Sequence, residues 1–193
     1  IHTDILLKAL LNASAGLRQP GTRVSHVFLA DIPAYPKLLA ISDAAVNIAP
    51  DLSAKAAILQ HAIDLMASIG VDLPKAAILS AVETVNPLIS SSLDAAALSV
   101  MSLRGQVRGA VVDGPLAFDN AISLKAAEIK GIASPVAGDA DILLVPDLVS
   151  GNILAKSLEY MADATLAGLV LGLNAPIVLP SRADPVDARL AGL

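Results

Sequence analysis

The chain has 193 residues and a formal net charge of −5, and only 2% of its residues are aromatic. This composition argues against a nucleic-acid-binding protein, which needs a basic surface and stacking aromatic rings. The absence of cysteine excludes disulfide bonds, thiolate nucleophiles and thiolate metal sites. The length predicts one large domain or one and a fraction. The 55% hydrophobic content with few aromatic residues predicts an aliphatic core, as in a sheet covered by closely packed helices.

The first residues show neither the basic nor the apolar region of a signal peptide, and the sequence shows no clear membrane span. A cytoplasmic protein without membrane contact is the default expectation. Residues 164–181 carry no charge over 18 positions, about the length of a membrane helix. Asn174, Pro176 and Pro180 interrupt this stretch. It is therefore predicted to contain the end of a helix followed by a strand.

The first elements predicted along the chain are a helix and two strands. Thr3 and Asp4 precede an apolar-periodic segment that ends at Gly16, which is typical of a capped helix. Residues 24–29 and 38–47 follow as neighbouring strands, and their spacing favours an antiparallel pair.

A long helix is predicted next, beginning at residues 50–53 and ending at Gly70. Its apolar residues recur at helical spacing and should form the buried face: Ile58, Leu59, Ala62, Ile63, Met66 and Ile69. Its polar residues should face solvent: Lys55, Gln60, Asp64 and Ser68.

Strands and helices alternate over the rest of the chain. Strands are predicted at residues 76–81, 108–113, 142–145 and 176–179. Helices are predicted at residues 93–103, 121–130 and 152–172, with a last one after residue 185. This alternation predicts an α/β fold with right-handed crossovers and a parallel sheet sandwiched between two layers of helices.

The most informative stretch is residues 136–156, VAGDADILLVPDLVSGNILAK. Its continuous apolar run, residues 142–145, predicts a strand buried on both faces. Gly151 and Asn152 are predicted to form a turn that opens the next helix, with free backbone N–H groups beyond the carboxyl end of the strand. Ligands bind at that edge in open α/β sheets, and a helix N-terminus favours anions.

Several predicted strands end in polar residues, and these could build a cleft at one edge of the sheet. The sets are Glu83-Thr84, Asp113-Gly114-Pro115, Pro146-Asp147 and Ser181-Arg182. Arg182 could bind a phosphate bidentately, while the Ser181 hydroxyl donates to a developing oxyanion. The alternative is ordinary turn chemistry, with Ser181 as a helix N-cap and Arg182 in solvent.

Other site chemistries find weak support. The glycine spacings of nucleotide-binding loops and the G-x-S-x-G elbow of hydrolases are absent. Asp139 and Asp141 are not expected to ligate one metal ion, because alternate residues entering a strand point to opposite faces. His61 is predicted on the flank of a buried helix face, His26 as a satisfied core histidine, and His2 as the histidine most worth testing.

The sequence resembles the phosphate acetyl/butyryl transferases over its whole length. The matching stretches are His2-Thr3-Asp4, SHVFLAD (25–31), SDAAVNIAPDL (42–52), PKAAILSAVETVNP (74–87), RGQVRGAVVDGPLAFDNAIS (104–123), KGIASPVAGDADILLVPDLVSGNILAK (130–156) and APIVLPSRAD (175–184). They occur in the family's order, and their amino-acid sequences look closer to the butyryl branch of the family.

The resemblance implies a two-domain fold related to the isocitrate and isopropylmalate dehydrogenases, with the active site between the domains. Residues 1–174 would then be the second domain, and residues 175–193 a strand and helix returning to a first domain that this sequence largely lacks. The resemblance also implies a homodimer formed through the second domain. On that basis, activity is expected of the intact protein with both domains rather than of this portion alone.

The implied reaction exchanges the CoA of a short-chain acyl-CoA for inorganic phosphate, with CoA as a substrate and no resident cofactor or metal. Carried over from the family, Ser181 would stabilise the carbonyl oxygen and Arg182 would hold the phosphate. Asp184 is the first candidate for the base and Asp187 the second. Lys8 stands where acetyl-type members have an arginine. The remaining candidate substrate-binding residues are His2, Thr3, Asp113, Gly114, Pro115, Gly151 and Asn152.

Two other function classes stay open at this point. One is a non-catalytic, acyl-CoA-sensing domain of a larger multidomain enzyme, which would bind the ligand without turning it over. The other is a metal-dependent dehydrogenase of the same fold superfamily, which would need several carboxylates converging on one ion.

Overall fold

A mixed sheet of seven strands organises the described part of the chain. The computed structural model describes residues 12, 17 and 21–179. The predicted last helix, and the predicted first helix except for Asn12, lie outside these residues. The strands are β1 (Ser25–Asp31), β2 (Leu39–Ser42), β3 (Lys75–Leu79), β4 (Val111–Leu116), β5 (Ile142–Leu144), β6 (Thr165–Leu171) and β7 (Ile177–Val178). The helices are α1 (Leu52–Ser68), α2 (Ser90–Leu103), α3 (Phe118–Ile122), α4 (Leu124–Ile129) and α5 (Leu148–Met161).

The strand order is β4-β3-β5-β2-β1-β6-β7. The four strands β4, β3, β5 and β2 are parallel, as predicted for an α/β unit. β1 pairs antiparallel with β2 and with β6, and β7 pairs antiparallel with β6. The predicted antiparallel pair β1–β2 is confirmed. The predicted parallel sheet is confirmed for β4, β3, β5 and β2, but β6 and β7 add antiparallel pairs and make the sheet mixed.

Helices cover both faces of the sheet and bury its side chains. On one face, α1 and α2 pack against alternate strand residues such as Val27, Ile142 and Leu144. On the other face, α3, α4 and α5 cover Phe28 and Leu143. β5 is fully buried, which confirms the prediction of a strand buried on both faces.

The long helix α1 confirms the predicted buried face from Ile58 to Met66 but differs at two positions. Ile69 is 46% exposed because the helix has ended at Ser68. Lys55 was predicted in solvent, but it is buried, and its Nζ lies 2.6 Å from Oδ2 of Asp94 on α2. The charge is tolerated there because it is paired and hydrogen-bonded.

The predicted helix over residues 152–172 is wrong in its second half. α5 ends at Met161, and Asp163 has a left-handed φ of 52°, which interrupts helical backbone. β6 then runs beside β1 over its whole length. The apolar content of residues 164–171 therefore reflects a strand in the sheet rather than a helix face.

The predicted helix over residues 121–130 is two short helices, α3 and α4, separated at Ser123. The Ser123 side chain caps α4 by accepting from the Ala126 amide. None of the helices in the described part of the chain has the length and hydropathy of a transmembrane segment.

Candidate functional site

The carboxyl ends of β2, β3 and β5 lie at one edge of the sheet, as expected for parallel strands. Antiparallel β1 begins at this same edge, since Val27 lies opposite Ser42. The segment after β2, residues 43–51, crosses the edge and leads into α1. This is the edge at which open α/β sheets bind ligands.

Asp43 organises the segment after β2 from a nearly inaccessible position. Its Oδ1 accepts from the amides of Ala45 (3.0 Å) and Val46 (2.9 Å). Its Oδ2 accepts from the His26 amide (3.1 Å) and from Nδ2 of Asn47 (2.6 Å). Four donors therefore satisfy this carboxylate, and it fixes the segment rather than facing a ligand.

A cleft opens between the start of β1 and the first turns of α1. One pocket of about 500 Å³ is lined by Gly21, Thr22, Arg23, Val24, Val46, Asn47, Ser53 and Ala57. A neighbouring pocket of about 360 Å³ is lined by Arg23, Val46, Asn47, Ile48, Ala49, Pro50, Asp51 and Ala54. Three residues line both pockets, so the two form one continuous cleft. Among the described residues that line the two pockets, Arg23 is the only Lys or Arg.

Gly151 and Asn152 lie beside this edge, but not in the predicted turn. α5 already begins at Leu148, and the Asp147 side chain caps it by accepting from the Ser150 amide at 2.8 Å. The Gly151 amide donates to the Asp147 carbonyl, so it is not a free N–H group. Gly151 is buried because α5 packs closely there, whereas Asn152 is exposed.

Asp113, Gly114 and Pro115 do not form a turn after their strand, because β4 continues through them to Leu116. β4 is an edge strand, where a proline without an N–H group is tolerated. A Cβ on Gly114 would lie 2.8 Å from the Ile78 carbonyl oxygen. Gly114 thus permits close packing of β4 on β3, and the three residues are not gathered with Arg23.

Glu83 follows β3 as predicted, but it is tied into a local cluster. Lys130 forms ion pairs with Glu83 and, at 2.9 Å, with Asp119. Asn120 Nδ2 donates to Glu83 Oε1 at 2.6 Å. The Lys130 ammonium lowers the pKa of both Glu83 and Asp119, so both stay ionised. This cluster joins the segments after β3 and β4.

The two described histidines are buried or half-buried at the same edge. His61 Nδ1 lies 2.7 Å from Oγ of buried Ser25, which agrees with a flank position on α1. Burial lowers the pKa of His61 against the influence of Asp64. His26 is in the core as predicted, but it is not fully satisfied, because its Nδ1 lacks a partner among the described residues.

Asp139 and Asp141 converge on a cation, contrary to the expected opposite orientation. Lys37 Nζ lies 2.7 Å from Asp139 and 2.8 Å from Asp141. Both aspartates precede β5 rather than lying in it, so the alternation of strand side chains does not apply. No group of three or more metal-ligating side chains occurs among the described residues.

Seven residues named in the sequence analysis lie outside the described residues: Ser181, Arg182, Asp184, Asp187, His2, Thr3 and Lys8. Their assigned roles therefore stay predictions. Sequence reasoning did not select Arg23 or Asn47, although Arg23 Nη1 donates to Asn47 Oδ1 at 3.2 Å within the cleft. The sequence signal that could have indicated this contact is an arginine shortly before β1 and an asparagine in the segment after β2.

The fold is α/β, with a cleft at the carboxyl edge of its parallel strands that Arg23 lines. Residues 7–190 match the family described as "Phosphate acetyl/butaryl transferase". The chain belongs to this phosphate acetyl/butyryl transferase family.

Curated relatives and solved structures agree with that assignment. The chain is 58% identical to a phosphate acetyltransferase of Rickettsia prowazekii over 98% of its own length and 54% of the relative's. It is 50% identical to a probable phosphate butyryltransferase of Bacillus subtilis over 98% of its own length and 63% of the relative's. A branched-chain phosphotransacylase from Enterococcus faecalis V583 superposes with a TM-score of 0.89 at 35% identity, covering 100% of this chain and 68% of that one.

The chain spans just over half the length of the Rickettsia relative and somewhat less than two thirds of the Bacillus one. Relatives named for acetyl and for butyryl transfer both match over nearly all of the chain. The predicted leaning toward the butyryl branch therefore stays a prediction.

Proposed function

We propose that the full-length protein exchanges the CoA of a short-chain acyl-CoA for inorganic phosphate. Membership of the family over residues 7–190 is the observation that carries this proposal. A cleft with an arginine at the ligand-binding edge of the sheet supports it, because both substrates carry phosphate.

In the acyl-phosphate-consuming direction, a base removes the thiol proton of CoA. The sulfur then bonds to the carbonyl carbon of the acyl phosphate, and the bond from that carbon to the phosphate oxygen breaks. Asp184 takes the proton, with Asp187 as the second candidate. Ser181 donates to the oxyanion, and Arg182 holds the departing phosphate. The balance of this reaction requires no resident cofactor.

The same proposal has three further parts. Residues 1–174 form the second domain, and the fold is related to that of the isocitrate and isopropylmalate dehydrogenases. The protein is a cytoplasmic homodimer. The exposed apolar residues of α5 support a dimer formed on this side of the sheet: Val149, Ile153, Tyr160 and Met161.

Replacing Arg182 with Ala in the full-length protein tests the site assignment. The KM for phosphate should rise about 10- to 100-fold, because a bidentate charged contact is lost. Arg108→Ala is the control, since Arg108 lies before β4, at the opposite edge of the sheet. An unchanged KM for phosphate in Arg182→Ala would remove the assigned role. Binding of acyl-CoA without any exchange would instead support an acyl-CoA-sensing domain.

A further inference from the structure

Among the described residues, no carboxylate forms an ion pair with Arg23. Arg23 is exposed and lines both pockets of the cleft. The other charged residue in the lining, Asp51, caps α1 by accepting from the Ala54 amide at 2.7 Å. In a chain of net charge −5, an unpaired guanidinium in a concave site suits an anionic ligand.

Asn47 contacts the guanidinium of Arg23, and the other hydrogen bonds of Asn47 determine the orientation of its amide. Its Nδ2 donates to Asp43 Oδ2 at 2.6 Å and to the Val24 carbonyl at 2.9 Å. Both amide protons are thereby used, so Oδ1 must point the other way, toward Arg23 Nη1. The amide cannot flip without placing its oxygen against two acceptors.

The support behind Asn47 and Arg23 is rigid. Asp43 is buried and accepts from four donors, as described above. The backbone of Arg23 packs against Gly172, where a Cβ would overlap the Arg23 carbonyl oxygen. Thr22 Oγ1 donates to the Gly172 carbonyl at 3.1 Å. The backbone of Arg23 and one of its terminal nitrogens therefore both have defined contacts.

We propose that Arg23 binds a phosphoryl group of the substrate in this cleft and that Asn47 is its positioning residue. This inference rests on the proposed function. A guanidinium has five N–H donors, and one contact to Asn47 leaves an edge free for bidentate phosphate recognition. The Ser53 hydroxyl and the N-terminal turn of α1 form the facing wall. The phosphoryl group belongs either to inorganic or acyl phosphate, or to CoA.

Replacing Arg23 with Gln separates these two sources in steady-state kinetics. We expect a rise in KM of about 10- to 100-fold for the substrate whose phosphoryl group it binds, with kcat changed less than about threefold. A rise confined to CoA, which shrinks with dephospho-CoA or pantetheine, identifies a CoA phosphate. A rise confined to inorganic or acyl phosphate identifies the other source. Equal KM values for wild type and variant overturn the proposal. Arg108→Gln is the matched control and should leave both KM values unchanged.

Asn47→Ala tests the positioning role separately from binding. We expect the same KM to rise about 3- to 10-fold, and the effect to disappear in the Arg23→Gln background, because Asn47 acts through Arg23. An Asn47→Ala effect of equal size in both backgrounds contradicts positioning and indicates a purely structural role. Thermal unfolding of each variant shows whether the segment after β2 is still folded.

Equilibrium binding distinguishes failure of this inference from failure of the proposed function. Calorimetric titration of wild type and Arg23→Gln with CoA and with inorganic phosphate needs no turnover. Weaker binding of one probe by Arg23→Gln, in a protein that shows no exchange, supports the anion site and rejects the acyltransferase activity. Exchange by wild type with unaltered binding by Arg23→Gln rejects the anion site alone.

Discussion

His26 is a fully buried titratable side chain at the ligand-binding edge. Its ring makes an edge-to-face contact with Phe28, with ring centroids 4.4 Å apart, and its backbone amide donates to Asp43. Burial lowers the pKa of His26 from 6.5 to about 4, although the Asp43 carboxylate opposes this effect. His26 is therefore neutral in the folded protein at neutral pH.

This lowered pKa predicts a loss of stability on acidification. Between pH 6.5 and about 4, the unfolded chain binds a proton at His26 that the folded protein does not, so the contribution is present above pH 6.5 and is lost as the pH falls. The free energy of unfolding of wild type relative to His26→Gln should fall by about 3 kcal/mol over this window. Urea unfolding at a series of pH values measures it.

Phe28→Leu is the control for His26→Gln, since it alters the same packing without removing a titratable group. The difference in free energy of unfolding between Phe28→Leu and wild type should stay constant between pH 7 and pH 4. If the difference in free energy of unfolding between His26→Gln and wild type is also constant over this range, the lowered pKa of His26 is contradicted.

At the scale of elements, Gly151 allows α5 to pack against the segment after β2. A Cβ there would lie 2.7 Å from Val145 Cγ2 and 3.0 Å from the Asp43 carbonyl oxygen. The Leu148 amide donates to the Ile48 carbonyl at 3.1 Å, which joins the start of α5 to the same segment. The position of α5 is therefore coupled to that of Asn47.

Gly151→Ala should destabilise the protein by about 1–3 kcal/mol, because the added methyl group meets backbone that cannot move freely. It should also weaken substrate binding, since the segment carrying Asn47 must shift. Asn152→Ala is the neighbouring control, and its exposed position predicts a change within about 0.5 kcal/mol. Chemical denaturation and KM measurements check both variants. Equal stability of the two would contradict close packing at Gly151.

The Lys55–Asp94 ion pair joins α1 to α2 with side chains 8% and 27% exposed. Asp94→Ala should cost about 1–3 kcal/mol of stability, because it leaves a buried ammonium without its partner. The double variant Lys55→Met/Asp94→Leu should recover most of this loss, since no charge is then left unpaired. Denaturation midpoints compare the three proteins. A double variant less stable than Asp94→Ala would show that the pair itself stabilises the interface.

Apolar periodicity predicted the elements whose burial is simple, namely α1 and β5. It failed over residues 163–171, because alternating small and apolar residues fit a helix as well as a strand when the partner strand is unknown. Pro115 reads as the end of a strand in the sequence, because nothing local shows that β4 lies at the sheet edge, where proline is tolerated. Lys55 was placed in solvent because its partner is 39 residues away.

At the scale of the molecule, the turn signals after the strands pointed to the carboxyl edge of the parallel strands, and Glu83 and Asp147 do follow their strands there. These signals did not predict the cleft itself, since the Arg23–Asn47 contact joins side chains from two segments that become neighbours only when β1 pairs with β2. Long-range side-chain contacts of this kind have no local sequence signature. The family motifs supplied Ser181 and Arg182, which lie beyond the described residues.

The most direct test of the proposed activity is the formation of acyl-CoA from CoA and either acetyl or butyryl phosphate by the full-length protein, followed by thioester absorbance. We expect turnover with at least one donor, reversal when acyl-CoA and inorganic phosphate are supplied, and a preferred donor that identifies the acyl group. No turnover with either donor, in a folded protein that still binds acyl-CoA, would contradict the acyltransferase assignment.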